Sequence, residues 1–506
     1  MLKCFFMKKG FFLTLLFFMF HFWSYCQRQS SLPNIILIYA DDLGYGDLGA
    51  YGGQAIPTPN MDRLANEGMK FTRGYASSAT CTPSRYALLT GTYPWKNKRA
   101  HILPGSAPLI IDTNQLTLPS MLKKQGYSTG IVGKWHLGLG NGNLDWNKKI
   151  SPGPNELGFD YSFILAATQD RVPTVFIENG KVFHLTPGDP LEVSYHHTFP
   201  GEITGRDHPE LLKMKFAFGH DGTIVNGISR IGHQKGGKSA WWVDENMADT
   251  FLEKAQSFIR DHHDHPFFLY YALNQPHVPR TPNPRFAGMT PLGPRGDVIA
   301  EADWCVGQLI KTLKEENLLK NTLIIVSSDN GPVLNDGYWD DAVTKNDGHR
   351  PWGPFRGGKY SLYEAGTRVP FFTYWKGVIK PGTCDAMVSQ IDLLNSLAAL
   401  TGSNKKSDDG FNLMETFLGK SSKGRNNMII EATGRTAYRR DYWVMIPPHK
   451  GPAIAKAENI ELGNSKEYQL YDLKNDPAQQ HNLAKQKPKL LDTLIMEYQA
   501  IMKSNQ

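Results

Sequence analysis

The chain of 506 residues contains only five cysteines, which limits the part that disulfides can play in its fold. Cys4 and Cys26 lie in an N-terminal segment that we expect to be removed, which leaves Cys81, Cys305 and Cys384. Three cysteines in an exported protein of this size do not form a disulfide framework. We expect Cys305 and Cys384 to be separate buried thiols, with a bridge between them as the alternative.

Acidic residues are absent from residues 1–26, where three lysines accompany an apolar run at about residues 10–25. The run is short for a membrane span, so this pattern predicts a signal peptide cleaved before Gln27. A retained anchor is one alternative. A lipoprotein attached through Cys26 is another, but the bulky Trp23 is a poor context for that processing. No other segment is suited to cross a membrane, and we expect export to the periplasm or the medium.

A strong charge of one sign is also missing. The formal net charge is +7, and removal of the three leader lysines leaves +4. Lysine and arginine form no long runs, so nothing points to nucleic-acid binding, whereas an anionic small substrate is compatible with this charge. The hydrophobic content of 41% is enough for a large core and a smaller second domain.

Short apolar runs that end abruptly in polar residues recur along the chain, as in "NIILIYADD", "STGIVGKWH", "FFLYYALNQPH" and "TLIIVSSDN". Helical patterns between them cover 60–68, 116–125, 244–261 and 297–316. Strands alternating with helices predict an α/β sandwich with a large, mostly parallel central sheet flanked by helices. Because ligands collect at the carboxyl ends of such strands, the polar residues after each run should meet at one edge.

Two regions show little periodicity and predict long loops, at 168–240 and 331–358. The stretch "SNKKSDDG", which begins at 403, indicates a boundary between an N-terminal domain at 27–403 and a C-terminal subdomain at 404–506. For this subdomain we expect a short antiparallel sheet and a terminal helix. The candidate strands and helix are 428–431, 442–446, 468–472 and 488–502.

Oxygen ligands follow two of the predicted strands. Asp41 and Asp42 come directly after the first, and Asp329 and Asn330 after a later one. Hard divalent cations prefer clustered carboxylate and amide oxygens, so the two pairs predict a Ca²⁺ site, with Mg²⁺ as the competitor. No cysteine or histidine spacing suggests zinc.

Basic side chains follow other strands. Lys134 and His136 are two residues apart and would point the same way in an extended segment. His277 lies between prolines that stiffen it, and Lys359 follows two glycines. Together with Arg85 and a divalent cation, these groups would form a pocket suited to a tetrahedral oxyanion.

The stretch "YASSATCTPSRYALLTGTYP" surrounds Cys81. Pro83 fixes its own φ, and Ser84 is a reasonable N-cap for a helix that begins at Arg85. Cys81 would then lie just ahead of a helix N-terminus, where the dipole favours an anion. A plain thiolate nucleophile is the alternative, but no adjacent histidine supplies its base.

The segment "CTPSRYALLTG" resembles the signature of the type I sulfatases, C-x-P-S-R-x-x-x-x-T-G. "PNIILIYADDLGYGDLG", "GKWHLG", "SSDNG", "GGKYSLYEAGTRVP" and "YQLYDLKNDPAQQHNLA" match further blocks in family order, from about Pro33 to Ala484. The resemblance implies an alkaline-phosphatase-like sandwich and a catalytic domain within 27–403. Within the family, the chain resembles the glycan-desulfating and arylsulfatase A-like or N-acetylgalactosamine-6-sulfatase-like branch.

The resemblance also implies that a maturing enzyme oxidises Cys81 to Cα-formylglycine. That enzyme would be a formylglycine-generating or an anaerobic sulfatase-maturing enzyme. One hydroxyl of the aldehyde hydrate attacks the sulfate ester sulfur, and the second collapses to release sulfate. The implied roles are Ca²⁺ binding by Asp41, Asp42, Asp329 and Asn330, hydrate binding by Arg85, proton transfer by His136 and His277, and sulfate binding by Lys134, Lys359 and Thr168.

Export and a single catalytic domain suggest an exo-acting carbohydrate sulfatase on sulfated galactose or N-acetylgalactosamine of host or algal glycans. Candidate sugar contacts are Asp170, Arg171, His220, Asp221, Trp241 and Trp242, with loop packing as the alternative for each. Three other functions remain open. The first is an arylsulfatase of broad specificity. The second is a metal-dependent phosphoesterase, which would require a serine or threonine nucleophile. The third is a non-catalytic glycan-binding protein, which should have lost one or more of the core site residues.

Overall fold

The computed structural model describes residues 32–503, so the predicted leader lies outside it. Its α-helices are α1 Pro59–Glu67, α2 Cys81–Thr90, α3 Leu118–Lys123, α4 Met247–Asp261, α5 Pro294–Glu315, α6 Leu393–Thr401, α7 Met414–Phe417 and α8 Pro488–Lys503. None of these helices has the length and apolar character that a membrane crossing requires.

The strands follow the chain order and are β1 Asn34–Ala40, β2 Met69–Phe71, β3 Gly74–Tyr75, β4 Ser128–Lys134, β5 Tyr161–Leu165, β6 Ile177–Glu178, β7 Lys181–Val182, β8 Glu192–Ser194, β9 Ile224–Val225, β10 Ile228–Ser229 and β11 His233–Lys235. The second half of the chain contributes β12 Phe267–Ala272, β13 Thr322–Ser328, β14 Phe371–Tyr374, β15 Gly382–Cys384, β16 Val388–Ser389, β17 Asn427–Ala432, β18 Arg435–Arg440, β19 Trp443–Ile446, β20 Ile454–Ala455, β21 Ile460–Glu461 and β22 Gln469–Asp472.

Ten strands form the central sheet, in the order β15-β2-β14-β13-β1-β12-β4-β5-β6-β7. Its middle five strands, from β13 to β5, all pair in parallel. β1 lies at the centre because its apolar run has no polar face to expose. Ile35 and Leu37 enter the core on one side of the sheet, and Ile36 and Ile38 enter the core on the other.

Helices cover both faces of this sheet. Residues of α2, α3, α6 and α7 belong to the first core, and residues of α1, α4 and α5 belong to the second. The predicted α/β sandwich with a mostly parallel sheet is confirmed.

The C-terminal part contains an antiparallel sheet in the order β17-β18-β19-β22. Helix α8 packs on it, with Leu494 in a core shared with Tyr438 and Met445. The predicted small sheet and terminal helix are therefore present. Strand β18 was not predicted, because its sequence "RTAYRR" contains three arginines.

The prediction for the helix after Cys81 is wrong in its start. Cys81 is the first residue of α2 rather than a residue ahead of it, and Thr80 holds the cap position. Ser84 is not an N-cap. Its Oγ accepts a hydrogen bond from Ser78 N at 3.1 Å and donates one to Ser78 O at 2.8 Å, which fixes the preceding loop against the helix.

The two loop regions are organised without long elements. Residues 168–240 hold the short strands β6 to β11, two of which extend the edge of the central sheet. The 331–358 loop touches this region through a bridge between Phe216 and Tyr338. Cys305 and Cys384 are separate buried thiols, as predicted.

Candidate active site

Three acids and an amide converge at the carboxyl ends of β1 and β13. The two strands pair in parallel with Ala40 opposite Ser328, so the residues that follow them are neighbours. Asp42 N donates to Asp329 Oδ1 at 3.2 Å, and Asn330 Nδ2 donates to Asp42 Oδ1 at 2.7 Å. These side chains and that of Asp41 are buried. The structure therefore brings together the four residues that the sequence predicted as metal ligands.

The donor atoms of this cluster fit a hard divalent cation. Asp41 Oδ1 and Asn330 Oδ1 are buried and have no hydrogen-bond partner among residues 32–503. Burial and the carboxylate of Asp329 raise the pKa of Asp41 well above its usual value, whereas Lys134 opposes this shift. Unpartnered oxygens beside clustered buried carboxylates are what a divalent cation stabilises.

Each of the predicted cations pairs with one of these carboxylates. Lys134 Nζ is 2.6 Å from Asp41 Oδ2, and Lys359 Nζ is 2.8 Å from Asp42 Oδ2. Arg85 donates from Nε at 3.1 Å and from Nη2 at 2.8 Å to Asp329 Oδ2. Three cations face these three carboxylates, and Lys359 also pairs with a fourth buried carboxylate, that of Asp336. A divalent cation would outweigh this excess of negative charge and make the pocket suited to an anion.

Cys81 lies in the same pocket. Its Sγ, a carboxylate oxygen of Asp41 and a carboxylate oxygen of Asp329 all lie within 4.8 Å of one another. Burial raises the pKa of its thiol, and the charges of Lys134 and Lys359 oppose that effect without cancelling it. Without a bound cation, the unmodified side chain is therefore a neutral thiol, which disfavours the plain thiolate alternative.

His136 is not on an extended segment, contrary to the prediction. Strand β4 ends at Lys134, and His136 has a φ of 55°. Its Nε2 donates to Leu103 O at 2.9 Å, and its Nδ1 is buried without a hydrogen-bond partner in the described chain. Burial and the charge of Lys134 lower its pKa well below the usual value. His136 therefore presents a neutral ring with an unused lone pair on Nδ1, and Thr82 Oγ1 ties its carbonyl to α2 at 2.9 Å.

His277 presents the other ring nitrogen. Its Nδ1 donates to Val278 O at 2.8 Å, and its Nε2 lies 3.9 Å from Asp42 Oδ2. The ring is buried, and both burial and the charge of Lys359 lower its pKa. The structure thus places His277 against the acidic cluster with Nε2 available.

The predicted sugar contacts separate into two groups. Asp170 Oδ1 pairs with Arg171 Nη1 at 3.0 Å, and Asp170 Oδ2 with His220 Nε2 at 3.0 Å. Arg171 Nη1 also donates to Thr168 Oγ1 at 2.5 Å. The charge of Arg171 contributes to the low pKa of His136, so this cluster adjoins the pocket.

The remaining three do not take part in the ion pairs of Asp170. Asp221 pairs with Arg206 at 2.5 Å on a partly exposed surface. Trp242 is buried against Phe176, and Trp241 is partly buried in the core with its Nε1 bonded to a backbone carbonyl. For both tryptophans the structure therefore supports packing within the protein, the alternative to a sugar contact.

Sequence reasoning missed Asp336 and Tyr360. Asp336 Oδ2 is 2.8 Å from Lys359 Nζ, and its Oδ1 accepts a hydrogen bond from Tyr360 OH at 3.0 Å. Asp336 lies in the 331–358 loop, where no periodic pattern exists. The signal in the sequence was limited to the length of that loop and its position after the "SSDNG" strand.

Comparison with known proteins agrees with this geometry. A family model described as sulfatase matches residues 33–403. The chain is 49% identical over 472 residues to an N-acetylgalactosamine-6-O-sulfatase of Bacteroides thetaiotaomicron, an alignment that covers 92% of each protein. It is 32% identical to human arylsulfatase A, over 89% of this chain and 83% of the relative.

A solved structure from a study of glycosaminoglycan metabolism by B. thetaiotaomicron superposes with a TM-score of 0.92 at 48% identity. That match covers 93% of this chain and 99% of the other. A buried acidic cluster ringed by cations at the edge of an alkaline-phosphatase-like sandwich defines a hydrolase of anionic esters. The chain belongs to the sulfatase family, and it is a sulfuric ester hydrolase.

Proposed function

We propose that this sulfatase removes 6-O-sulfate from terminal N-acetylgalactosamine, or the related galactose, of sulfated glycans. The observation that carries the proposal is the 49% identity across 92% of both chains to an N-acetylgalactosamine-6-O-sulfatase. The pocket is in keeping with this substrate, because its cations are positioned for a single sulfate group rather than along an extended polyanion.

We further propose that Cys81 acts as formylglycine and that the four oxygen ligands hold Ca²⁺. The position of Cys81 among Asp41, Asp329 and the cations supports both assignments. As the hydrated aldehyde, residue 81 would supply a hydroxyl nucleophile, and a calcium ion would supply positive charge beside it. The sequence Cys81–Arg85 would serve the maturing enzyme, either formylglycine-generating or anaerobic, as its recognition segment.

The other side chains of the pocket then bind the sulfate, orient residue 81 and transfer protons. Lys134 and Lys359 bind sulfate oxygens and stabilise negative charge as it develops on the leaving group. Arg85, anchored on Asp329, orients residue 81. His136 takes a proton at Nδ1, the atom without a hydrogen-bond partner. Nε2 of His277 carries the lone pair of the neutral ring, so it first takes up a proton when the negatively charged sulfate ester binds beside it, and it then passes that proton to the departing sugar oxygen.

The sugar itself would lie toward the Asp170 cluster, in which Arg171 and His220 are held by one carboxylate and Thr168 is nearby. For Asp221, which pairs with Arg206 on the surface, a sugar contact stays a prediction. The leader at 1–26 supports export to the periplasm or the medium. We retain 27–403 as the catalytic domain and 404–506 as the C-terminal subdomain.

The test is sulfate release from defined monosaccharides by protein made in a host with the maturation machinery. We expect release from N-acetylgalactosamine 6-sulfate and much slower release from its 4-sulfate isomer. Mass spectrometry of the tryptic peptide Gly74–Arg85 should show formylglycine at residue 81, and Cys81→Ser should abolish activity. Full activity with an unmodified thiol, or in the serine variant, would refute the assigned nucleophile. Equal rates on both isomers would refute the 6-O specificity.

A further inference from the structure

A cavity of about 560 Å³ lies outside the pocket described above. Residues from two segments of the 331–358 loop form one wall, and residues of the C-terminal subdomain form the other. We call this cavity the lateral groove and define it by 332–335, 338–344, Trp352, 355–357, 457–461, Ala478 and Gln480. None of the proposed catalytic residues lines it.

One end of the lateral groove lies beside the active site. Asp336 directly follows the lining residue Asn335 in the loop wall, and Asp336 Oδ2 is 2.8 Å from Lys359 Nζ. On the opposite wall, burial and the charge of Asp336 raise the pKa of Glu458, and the charge of Lys359 opposes this shift. A ligand at this end of the groove would therefore lie near the sulfate group that Lys359 is proposed to bind.

The groove is already formed without a ligand. Arg280 is buried and donates to the backbone carbonyl of Val333 at 2.9 Å, and it pairs with Asp340 at 2.8 Å. Asn335 Nδ2 donates across the groove to Ala457 O at 2.9 Å, which ties the two walls together. A rigid wall of this kind lowers the entropic cost of binding.

The lining is aromatic and carries little free charge. Trp339 is 65% exposed and Val343 is 57% exposed, which is unusual for large apolar side chains unless they contact something. Three of the lining carboxylates have basic partners, in the pairs Asp340–Arg280, Asp341–Lys345 and Glu461–Arg356. Glu458 has no ion-pair partner within residues 32–503, and the one lining cation, Arg356, is paired with Glu461. The groove therefore offers an anion no unpaired cation and offers a hydroxyl an acceptor.

We propose that the lateral groove binds an uncharged sugar, the one linked to the sulfated terminal sugar in the same glycan. The C–H face of its ring lies on the indole of Trp339, and one hydroxyl donates to Glu458. A sulfated sugar or a uronic acid at this position would be repelled by Glu458. This inference rests on the proposed function and adds a preference for the neighbouring sugar.

The experiment compares two substrates, N-acetylgalactosamine 6-sulfate and a disaccharide in which the same sugar is linked to neutral galactose. We expect Trp339→Ala to lower the ratio of kcat/KM for the disaccharide to that for the monosaccharide by about tenfold, which corresponds to a lost stacking contact. Phe411→Ala removes another half-exposed aromatic side chain outside the groove, and it should leave that ratio unchanged. Glu458→Gln should relieve the discrimination against a disaccharide that carries a uronic acid.

An unchanged ratio in Trp339→Ala would overturn the proposal, and so would a wild-type preference for the uronic-acid disaccharide. If the wild-type enzyme desulfates neither N-acetylgalactosamine 6-sulfate nor its disaccharide with galactose, the proposed function fails, and the groove is tested separately. A ligand-observed NMR titration with the unsulfated disaccharide should then show binding to the wild type and binding about tenfold weaker to Trp339→Ala. Equal affinity would overturn the groove assignment by itself.

Discussion

At the scale of single residues, two histidines are fixed in opposite orientations by backbone carbonyls. Leu103 O accepts from Nε2 of His136, and Val278 O accepts from Nδ1 of His277. A carbonyl cannot donate, so each contact determines which ring nitrogen keeps its lone pair in the neutral ring. Both neutral rings therefore present a lone pair to the pocket, from Nδ1 of His136 and from Nε2 of His277, and His277 acts as an acid only after Nε2 has taken up a proton.

Replacement of His136 tests this assignment. We expect His136→Ala to lower kcat by about 10²–10⁴, because proton transfer from residue 81 loses its acceptor. Activity should be measured per mole of formylglycine, since the variant could also alter maturation. The exposed His101 is the matched control, and His101→Ala should behave as the wild type. Activity of His136→Ala within about threefold of the wild type would contradict the role.

The metal ligands and cations were predictable because each follows an apolar strand, and the parallel sheet brings those ends together. Asp336 was not predictable, because its place beside Lys359 results from the path of an aperiodic loop. Trp241 and Trp242 are the opposite case, in which the sequence suggested a sugar contact that the structure does not support. The pair follows a predicted loop, but a polar local sequence does not reveal how deeply a side chain is buried.

At the scale of elements, local patterns predicted the long strands and misjudged the ends of helices. β1 was evident because its apolar run is uninterrupted. The start of α2 was placed too late because Pro83 resembles a boundary, although proline is tolerated in the first turn of a helix. β18 was missed because the partner of its buried Arg439 is Glu364, which lies 75 residues away in the sequence.

The revised start of α2 gives Ser84 a testable structural role. Ser84→Ala removes both hydrogen bonds to the backbone of Ser78 in a buried setting. We expect the free energy of unfolding to fall by about 2 kcal/mol, measured by denaturant titration. Ser257 lies exposed on α4, and Ser257→Ala should change that free energy by less than about 0.5 kcal/mol. Equal effects of the two substitutions would contradict the role.

At the scale of the whole molecule, Glu364 joins the catalytic domain to the C-terminal sheet. Its carboxylate accepts hydrogen bonds from Tyr75 OH at 2.8 Å and from Arg368 at 2.9 Å, and it forms a bidentate pair with Arg439 on β18. Its backbone N–H donates to Gln479 Oε1 at 2.7 Å. Glu364 and Arg439 are buried, so the subdomain is bound through a buried ionic contact as well as through apolar packing.

This contact predicts a pH-dependent stability. Burial alone would raise the pKa of Glu364, but Arg439 and Arg368 outweigh it and lower the pKa from 4.5 to about 2. A carboxyl with a depressed pKa stabilises the fold above its ordinary pKa, and that stabilisation is lost as the pH falls from about 4.5 through about 2. The shift corresponds to about 3 kcal/mol at neutral pH.

Glu364→Gln should therefore lower the free energy of unfolding by about 3 kcal/mol at neutral pH, since the two arginines keep their charge without a carboxylate. The difference between the variant and the wild type should shrink as the pH is lowered from about 5 to about 2, because acid neutralises Glu364 only in the wild type. Glu497→Gln is the matched control. Its carboxylate pairs with Arg440, the next residue on β18, in a partly exposed setting and should contribute less than about 1 kcal/mol. A difference between Glu364→Gln and the wild type that stays constant with pH would show that Glu364 stabilises the fold through its shape rather than its charge.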